Sequence, residues 1–236
     1  VRYVLHIAAL PSVPRSVEQP LPAHDINLTG TLNVLIAARD AGVKRVVFTS
    51  SREAYGDPKT LPVPETAPMQ PKNAYGASKV AGEVYCRLAA HQGLETVVLR
   101  FANVYGPGDR DRVIPLFAAA AAANSPLTVY GTQKILDFVW IDTIVDALLK
   151  AGCGRYIRGP VNVGSGKGTT IAELARCIVS LTRSSSDVRV VEERAQEVGR
   201  FVADITRGKK LLGLSEPADP LWALPQLLEK ELREEK

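Results

Sequence analysis

The chain has 236 residues, 46% of them apolar and 23% charged, enough to bury a core and an ordinary balance that excludes disordered and collagen-like chains. The net charge of +4 is spread as singles and pairs, without a basic stripe interleaved with aromatics, which argues against nucleic-acid binding. No apolar run reaches the roughly 18 residues of a membrane span and the N-terminus lacks the zones of a signal peptide, so a soluble cytoplasmic protein without membrane contact is expected. Cys86, Cys153 and Cys177 are odd in number, far apart and without a Cys-x-x-Cys pair, which predicts reduced structural cysteines and no metal site.

In chain order, RYVLHI (2–7) reads as a buried parallel strand ending at Ala8 and Ala9, whose small side chains leave room for a ligand. LPSVPRSVEQPLPAHD (10–25) is rich in proline and predicts a surface loop with at most a helical turn. Leu28, Leu32, Leu35 and Ile36 at helical spacing predict an amphipathic helix over 27–41, stopped by Gly42. The run 44–49 is the next strand and ends in the hydroxyls Thr49, Ser50 and Ser51. Prolines 58, 62, 64, 68 and 71 keep the following segment irregular until a helix over about 73–92, closed by Gly93. LETVVLR (94–100) is strand again, and this alternation predicts a doubly wound α/β fold with a parallel sheet. Beyond Asn103 follow a charged turn (109–112), an alanine-rich helix over 114–123, strands in PLTVYG and KILDFVWID, and a helix over 141–149. A strand and turn in GPVNVGSG, a helix over 170–181 capped by Thr169 or Thr170, strands at 188–191 and 201–203, and a terminal amphipathic helix from 221 complete the reading. GSGKGTT (164–170) lacks the spacing of a nucleotide-binding P-loop and is not read as one.

The chemistry concentrates between Val46 and Lys79. Tyr75 and Lys79 lie four apart on a helix and therefore on one face. A phenol is a poor base at neutral pH, and a neighbouring ammonium favours its phenolate form. Ser51, at a strand's carboxyl end, is placed to hydrogen-bond the same substrate oxygen, giving a proton-transfer site suited to a hydride-transfer cofactor.

A lone Tyr-x-x-x-Lys is a weak signal, but its company is specific: Ser50-Ser51, Tyr55-Gly56, Pro64-Glu65, YGASK at 75–79 and LRFANVYGPG at 99–108. In that order the series resembles the extended short-chain dehydrogenase/reductase family, in particular its NAD-dependent nucleotide-sugar epimerases and dehydratases, from HIAA at His6 to DITRGKKLLG ending at Gly213. The resemblance implies a Rossmann-like cofactor part over 1–103 and a smaller, mainly substrate-binding α/β part over 104–236, with a segment at about 135–150 returning to the cofactor part. It implies NAD as cofactor, a nucleotide-diphosphate sugar as substrate, Ser51, Tyr75 and Lys79 as catalytic residues, and cofactor contacts near Ala8, Ala9, Asn27, Thr49, Ser50, Tyr75 and Lys79. Asn27 reads equally well as a helix N-cap, and the two roles are compatible. Asn103 is expected against the diphosphate, with Lys134, Arg194 and Arg200 as further substrate contacts; a turn asparagine and plain surface charge are the alternatives. The helices at about 27–41 and 73–92 correspond to those that commonly form the family's homodimer interface.

Departures from the family pattern matter as much. No Gly-x-x-Gly-x-x-Gly or Gly-x-Gly-x-x-Gly occurs, and the chain starts with Val, so it is read as lacking the family's first strands and pyrophosphate loop, with loss of cofactor binding in a natural chain as the rival reading. These residues alone are accordingly expected to bind NAD weakly and to be inactive. Glu53 sits where dehydratases and decarboxylases of the family carry a glutamate and is a candidate catalytic group, yet Arg52 stands where the dehydratase acid is expected. Leu136 replaces an arginine that would bind a diphosphate bidentately. Epimerisation through a transient ketone is therefore expected, with a dehydratase, decarboxylase or reductase, or a non-catalytic NAD(P)-sensing protein, as the alternatives.

Overall fold

The computed structural model describes residues 1–192 and 196–234, with side chains through residue 230. The chain begins with β1 (Tyr3–His6), α1 (Val13–Glu18), α2 (Pro20–His24), a wide turn at Asp25–Thr29, α3 (Gly30–Asp40), β2 (Arg45–Ser51), a 3₁₀ turn at Arg52–Ala54, α4 (Ala74–His91) and β3 (Glu95–Phe101). It continues through β4 (Asn103–Tyr105), α5 (Val113–Ala122), β5 (Leu127–Tyr130), β6 (Ile135–Trp140), α6 (Ile141–Cys153) and β7 (Pro160–Val163). Last come β8 (Gly168–Thr170), α7 (Ile171–Thr182), β9 (Val188–Val191), α8 (Thr206–Leu212) and α9 (Leu224–Glu234).

β1, β2, β3 and β7 form a parallel sheet in that order, as the α/β reading requires. β2 and β3 are its buried centre, whereas in β1, read as a buried strand, Leu5 is exposed, and β2 is the one strand that pairs with it among the described residues. The proline-rich 10–25 segment is helical rather than a loop. Pro14 and Pro20 sit in the first turns of α1 and α2, where a missing N–H costs nothing, and the Ser12 side chain caps α1 by accepting from the Arg15 N–H.

α6 packs on the β1–β3 face and β7 adds the fourth strand, so residues 141–163 build the main sheet's layer. Arg45 fastens that return: its guanidinium is buried, donates to the carbonyls of Ala151, Gly152 and Gly154 at 2.9, 3.0 and 2.9 Å, and pairs with Glu95 at 2.7 Å. Cationic donors at a helix carboxyl end meet both its orphan carbonyls and its dipole. Val63, in the irregular 57–72 segment, joins the opposite flank to the late chain, donating to the Val202 carbonyl at 2.7 Å and accepting from the Asp204 N–H at 2.9 Å.

The remaining strands form smaller sheets: β4 and β8 flank β6, and β5 pairs with β9. Asp137 in β6 is fully buried and accepts from the Ser165 N–H and hydroxyl, both at 2.7 Å, from Gly166 at 3.1 Å and from Ala203 at 3.0 Å, which locks the turn after β7 to β6. Thr170 caps α7 in a capping box with Glu173. The segment at 201–203 contributes no regular strand, only isolated bridges of Arg200 with Ile135 and of Ala203 with Val63. No helix among the described residues is long and apolar enough to cross a membrane.

Candidate active site

α4 brings the predicted chemistry together. Asn73 caps it, accepting from the Gly76 N–H at 2.8 Å, and the buried Ser16 hydroxyl of α1 accepts from the Tyr75 N–H at 3.1 Å. Two glycines allow close approach to β2: a Cβ on Gly76 would lie 2.6 Å from the Glu53 carbonyl oxygen, and one on Gly82 2.6 Å from the Phe48 ring. The helix therefore lies flat against the end of β2, with Tyr75 beside Ser51 and Lys79 beside Thr49.

The Tyr75 phenol lies beside the Ser51 side chain, whose hydroxyl favours its ionised form. Burial pushes its pKa up, opposed by that hydroxyl and by the positive charges of Arg112 and Arg52, while Glu53 adds to the rise. Lys79 is buried, with Nζ 5.6 Å from the Tyr75 ring centre and 5.0 Å from that of Phe48. Its ammonium donates to the Thr49 carbonyl at 2.7 Å, and burial lowers its pKa from 10.5 to about 8. The expectation that Lys79 pulls the Tyr75 pKa down is corrected here: burial dominates, and the opposing cations are the arginines.

Ser50 and Thr49 face elsewhere than the sequence reading assumed. The Ser50 hydroxyl donates to Glu83 at 2.5 Å, beneath the sheet surface, because consecutive residues of a strand point to opposite faces. Thr49 spends its hydroxyl on the His6 carbonyl at 3.2 Å and its own carbonyl on Lys79. Asn27 is neither an N-cap nor open to a ligand: buried in the wide turn, it accepts from the Leu10 N–H at 2.7 Å and donates to the Leu10 carbonyl at 3.2 Å, pinning the loop after Ala8 and Ala9. Ala8 is exposed and Ala9 half-buried at the carboxyl end of β1.

Glu53 is buried with both oxygens engaged, one by Arg52 Nη2 at 2.9 Å and the other by Asn73 Nδ2 at 2.8 Å. Of the expected substrate contacts, Asn103 opens β4 with a buried Oδ1 that has no partner among the described residues, as a ligand-facing amide would. Lys134 is paired with Glu197 and is not a free cation for a diphosphate. Arg200 is exposed beside Ile135, Leu136 is buried in the second core, and Arg194 lies outside the described residues. The sequence reading missed Arg112, whose only signal was its place in the charged 109–112 turn, and the second role of Asn73, since a cap residue gives no sign that it also holds Glu53.

Residues 1–163 match the NAD dependent epimerase/dehydratase family. The chain belongs to that family. It is 34% identical over 217 residues to UDP-glucose 4-epimerase of Mycolicibacterium smegmatis, an alignment covering 89% of this chain and 69% of that relative. The solved UDP-glucose 4-epimerase of Thermotoga maritima with UDP-glucose superposes with a TM-score of 0.93 at 30% identity, covering 100% of this chain and 78% of that one. MoeE5 in complex with UDP-glucose and NAD gives a TM-score of 0.93 at 28% identity, covering 100% of this chain and 81% of that one.

The residues present fit the nicotinamide-ribose end of NAD. Lys79 uses one of an ammonium's three donors on Thr49, and the small side chains of Ala8 and Ala9 follow the carboxyl end of β1, the strand next to β2. A glycine loop for the pyrophosphate is not among the 236 residues.

Proposed function

We propose that the protein is an NAD-dependent nucleotide-sugar epimerase that inverts one hydroxyl-bearing sugar carbon through a transient ketone. The arrangement of Ser51, Tyr75 and Lys79 at the carboxyl end of β2 carries this reading. UDP-hexoses are the substrates proposed, by likeness to the UDP-glucose 4-epimerases. NAD, when bound, supplies the hydride acceptor and a positive charge beside the phenol. Tyr75 takes the proton of the sugar hydroxyl and returns it after the ketone has presented its other face. Ser51 holds the reacting oxygen, and Lys79, with Ala8 and Ala9 nearby, holds the ribose. Asn103 and Arg200 meet the diphosphate. A mere binding protein has no use for a half-buried phenol set beside a serine hydroxyl and an ammonium, which argues against a sensing role.

Epimerisation is favoured over elimination because Glu53 is committed to Arg52 and Asn73 and the partner acid is absent. The full-length protein given UDP-glucose and NAD is expected to yield UDP-galactose by NMR, with Glu53→Gln losing less than about tenfold in turnover, below the roughly 10² to 10⁴ of a lost general acid or base. A 4-keto-6-deoxy sugar, with a loss of several hundredfold in Glu53→Gln, would establish the dehydratase instead.

The cofactor part is proposed to comprise 1–103 with the returning 135–150 segment, and 104–236 otherwise to bind substrate. A homodimer through 27–41 and 73–92 is supported by Ile36 and Leu88, exposed apolar side chains on α3 and α4. A reducing cytoplasmic location suits the free cysteines.

A further inference from the structure

Arg52 is the first residue of the 3₁₀ turn after Ser51, and only 12% of its side chain is exposed. One amino group, Nη2, is paired with Glu53, but Nη1 is buried and has no hydrogen-bond partner among the described residues. A buried guanidinium N–H without an acceptor is costly, because it has given up water and gained nothing in return. Nearby acceptors do not relieve it, because Glu53 Oε1 already takes Nη2 and Oε2 takes Asn73. The same corner is electropositive. Tyr75 feels Arg52 and Arg112 against Glu53, and the buried Lys79 ammonium lies 5.6 Å from its ring centre. Arg112 is only loosely compensated, with Asp109 at 3.7 Å and its Nη1 on the Val104 carbonyl at 3.1 Å.

We infer that Arg52 is a specificity-determining residue whose free Nη1 binds a carboxylate on the sugar, so that the substrate of this site is a nucleotide-linked hexuronic acid. This rests on the epimerase reading above. Ser51 and Tyr75 hold the reacting hydroxyl, and the side chain that starts one residue later reaches the substituent on the adjacent ring carbon. A neutral hydroxymethyl group there would satisfy the N–H but leave the positive field uncompensated. A carboxylate does both, through a charge-assisted hydrogen bond to a guanidinium. Glu53 does not compete for that place, since its own oxygens are covered.

The test compares UDP-glucuronate with UDP-glucose in the full-length protein supplied with NAD, reading product by NMR and sugar-nucleotide affinity by calorimetry. The wild type is expected to prefer the uronate in kcat/KM by at least about tenfold. Arg52→Met is expected to cut uronate affinity and kcat/KM by about 10- to 100-fold while changing UDP-glucose less than about fivefold, and Arg52→Lys, which keeps the charge and the Glu53 pair, to recover part of the loss. Preference of the wild type for UDP-glucose overturns the inference and leaves the epimerase reading standing. An equal loss on both sugars in Arg52→Met, with an unchanged melting temperature and a shifted pH profile, overturns it too and makes Arg52 a group serving Tyr75. Release of carbon dioxide from the uronate without a C4 epimer supports the carboxylate contact and overturns the epimerase reading. Absence of any product together with equal affinity for the two sugars overturns both.

Discussion

Ser50 and Ser51 are neighbours in β2, yet they belong to opposite kinds of polar chemistry. On one face Ser50 enters a closed network: Glu83 accepts from Ser50 and, bidentately, from Arg100 at 2.9 and 2.7 Å, Arg100 donates to the Tyr55 hydroxyl at 2.9 Å, and Tyr55 donates to Asn162 at 2.6 Å. Each of these side chains has its partner, and burial raises the Tyr55 pKa to about 12, so the phenol stays protonated. On the other face Ser51, Tyr75 and Arg52 form an open set, with Arg52 Nη1 unpartnered among the described residues and Lys79 lowered to about 8. The closed set spends its polarity on fixing β2, β3, α4 and β7 in register, and the open set keeps its polarity for a ligand. Two tyrosines with raised pKa values thus have different meanings, read from their neighbours.

The contrast is sharpest in Tyr75→Phe. Turnover should fall by roughly 10² to 10⁴ with the melting temperature nearly unchanged, because the open side contributes chemistry and little cohesion. Arg100→Met should do the reverse, leaving Glu83 buried without its cation and costing about 3–5 kcal/mol in denaturant unfolding, while the folded fraction retains most of its activity. Equal effects of both variants on both readouts would erase the distinction. The smallest effect concerns Lys79. Its folded pKa is lowered, so between about 8 and 10.5 the unfolded chain holds more protons and stability rises with pH, a slope that vanishes below about 8. Tyr75, raised from 10, acts in the opposite sense only above 10, but the buried Cys86 and the partly buried Cys177, raised from 9, oppose the lysine from about pH 9 upward, so the lysine is read as the difference between the parent and Lys79→Met from pH 8 to 10. Lys79→Met should flatten that rise, and an NMR titration of Lys79 near 10.5 would contradict it.

Much of the fold was legible because buried parallel strands announce themselves as apolar runs and helices by their spacing, as at 44–49 and 73–92. Tyr75, Lys79 and Ser51 were legible as a site because one helix and one strand end carry them. Which of Ser50 and Ser51 lies beside Tyr75 was not, since β2 is buried along its whole length and shows no polar alternation to fix its register. The pairing of Lys134 with Glu197 joins residues 63 apart and has no local signal. Pro14 and Pro20 misled because proline at a helix start and proline in a loop look alike until the cap is seen. Arg52 was visible as a departure from a pattern, but its unpaired nitrogen exists only in three dimensions.

The bridge from Val63 to Val202 and Asp204 has a kinetic meaning. It closes a loop of roughly 140 residues, for an entropic cost of about 4 kcal/mol before any contact repays it. Such a contact is expected to form late in folding, after the locally connected β2, α4 and β3 have docked, which a φ-value near 0 for Val63→Ala would show. The same 57–72 segment supplies the Glu65 carbonyl that receives Arg100 Nη1 at 2.9 Å and the Glu65 carboxylate that receives the Asn162 N–H at 2.9 Å. Ser51, Tyr75 and Lys79 thus come from β2 and α4 alone, whereas the supporting face of β2 is complete only with the chain as far as residue 204.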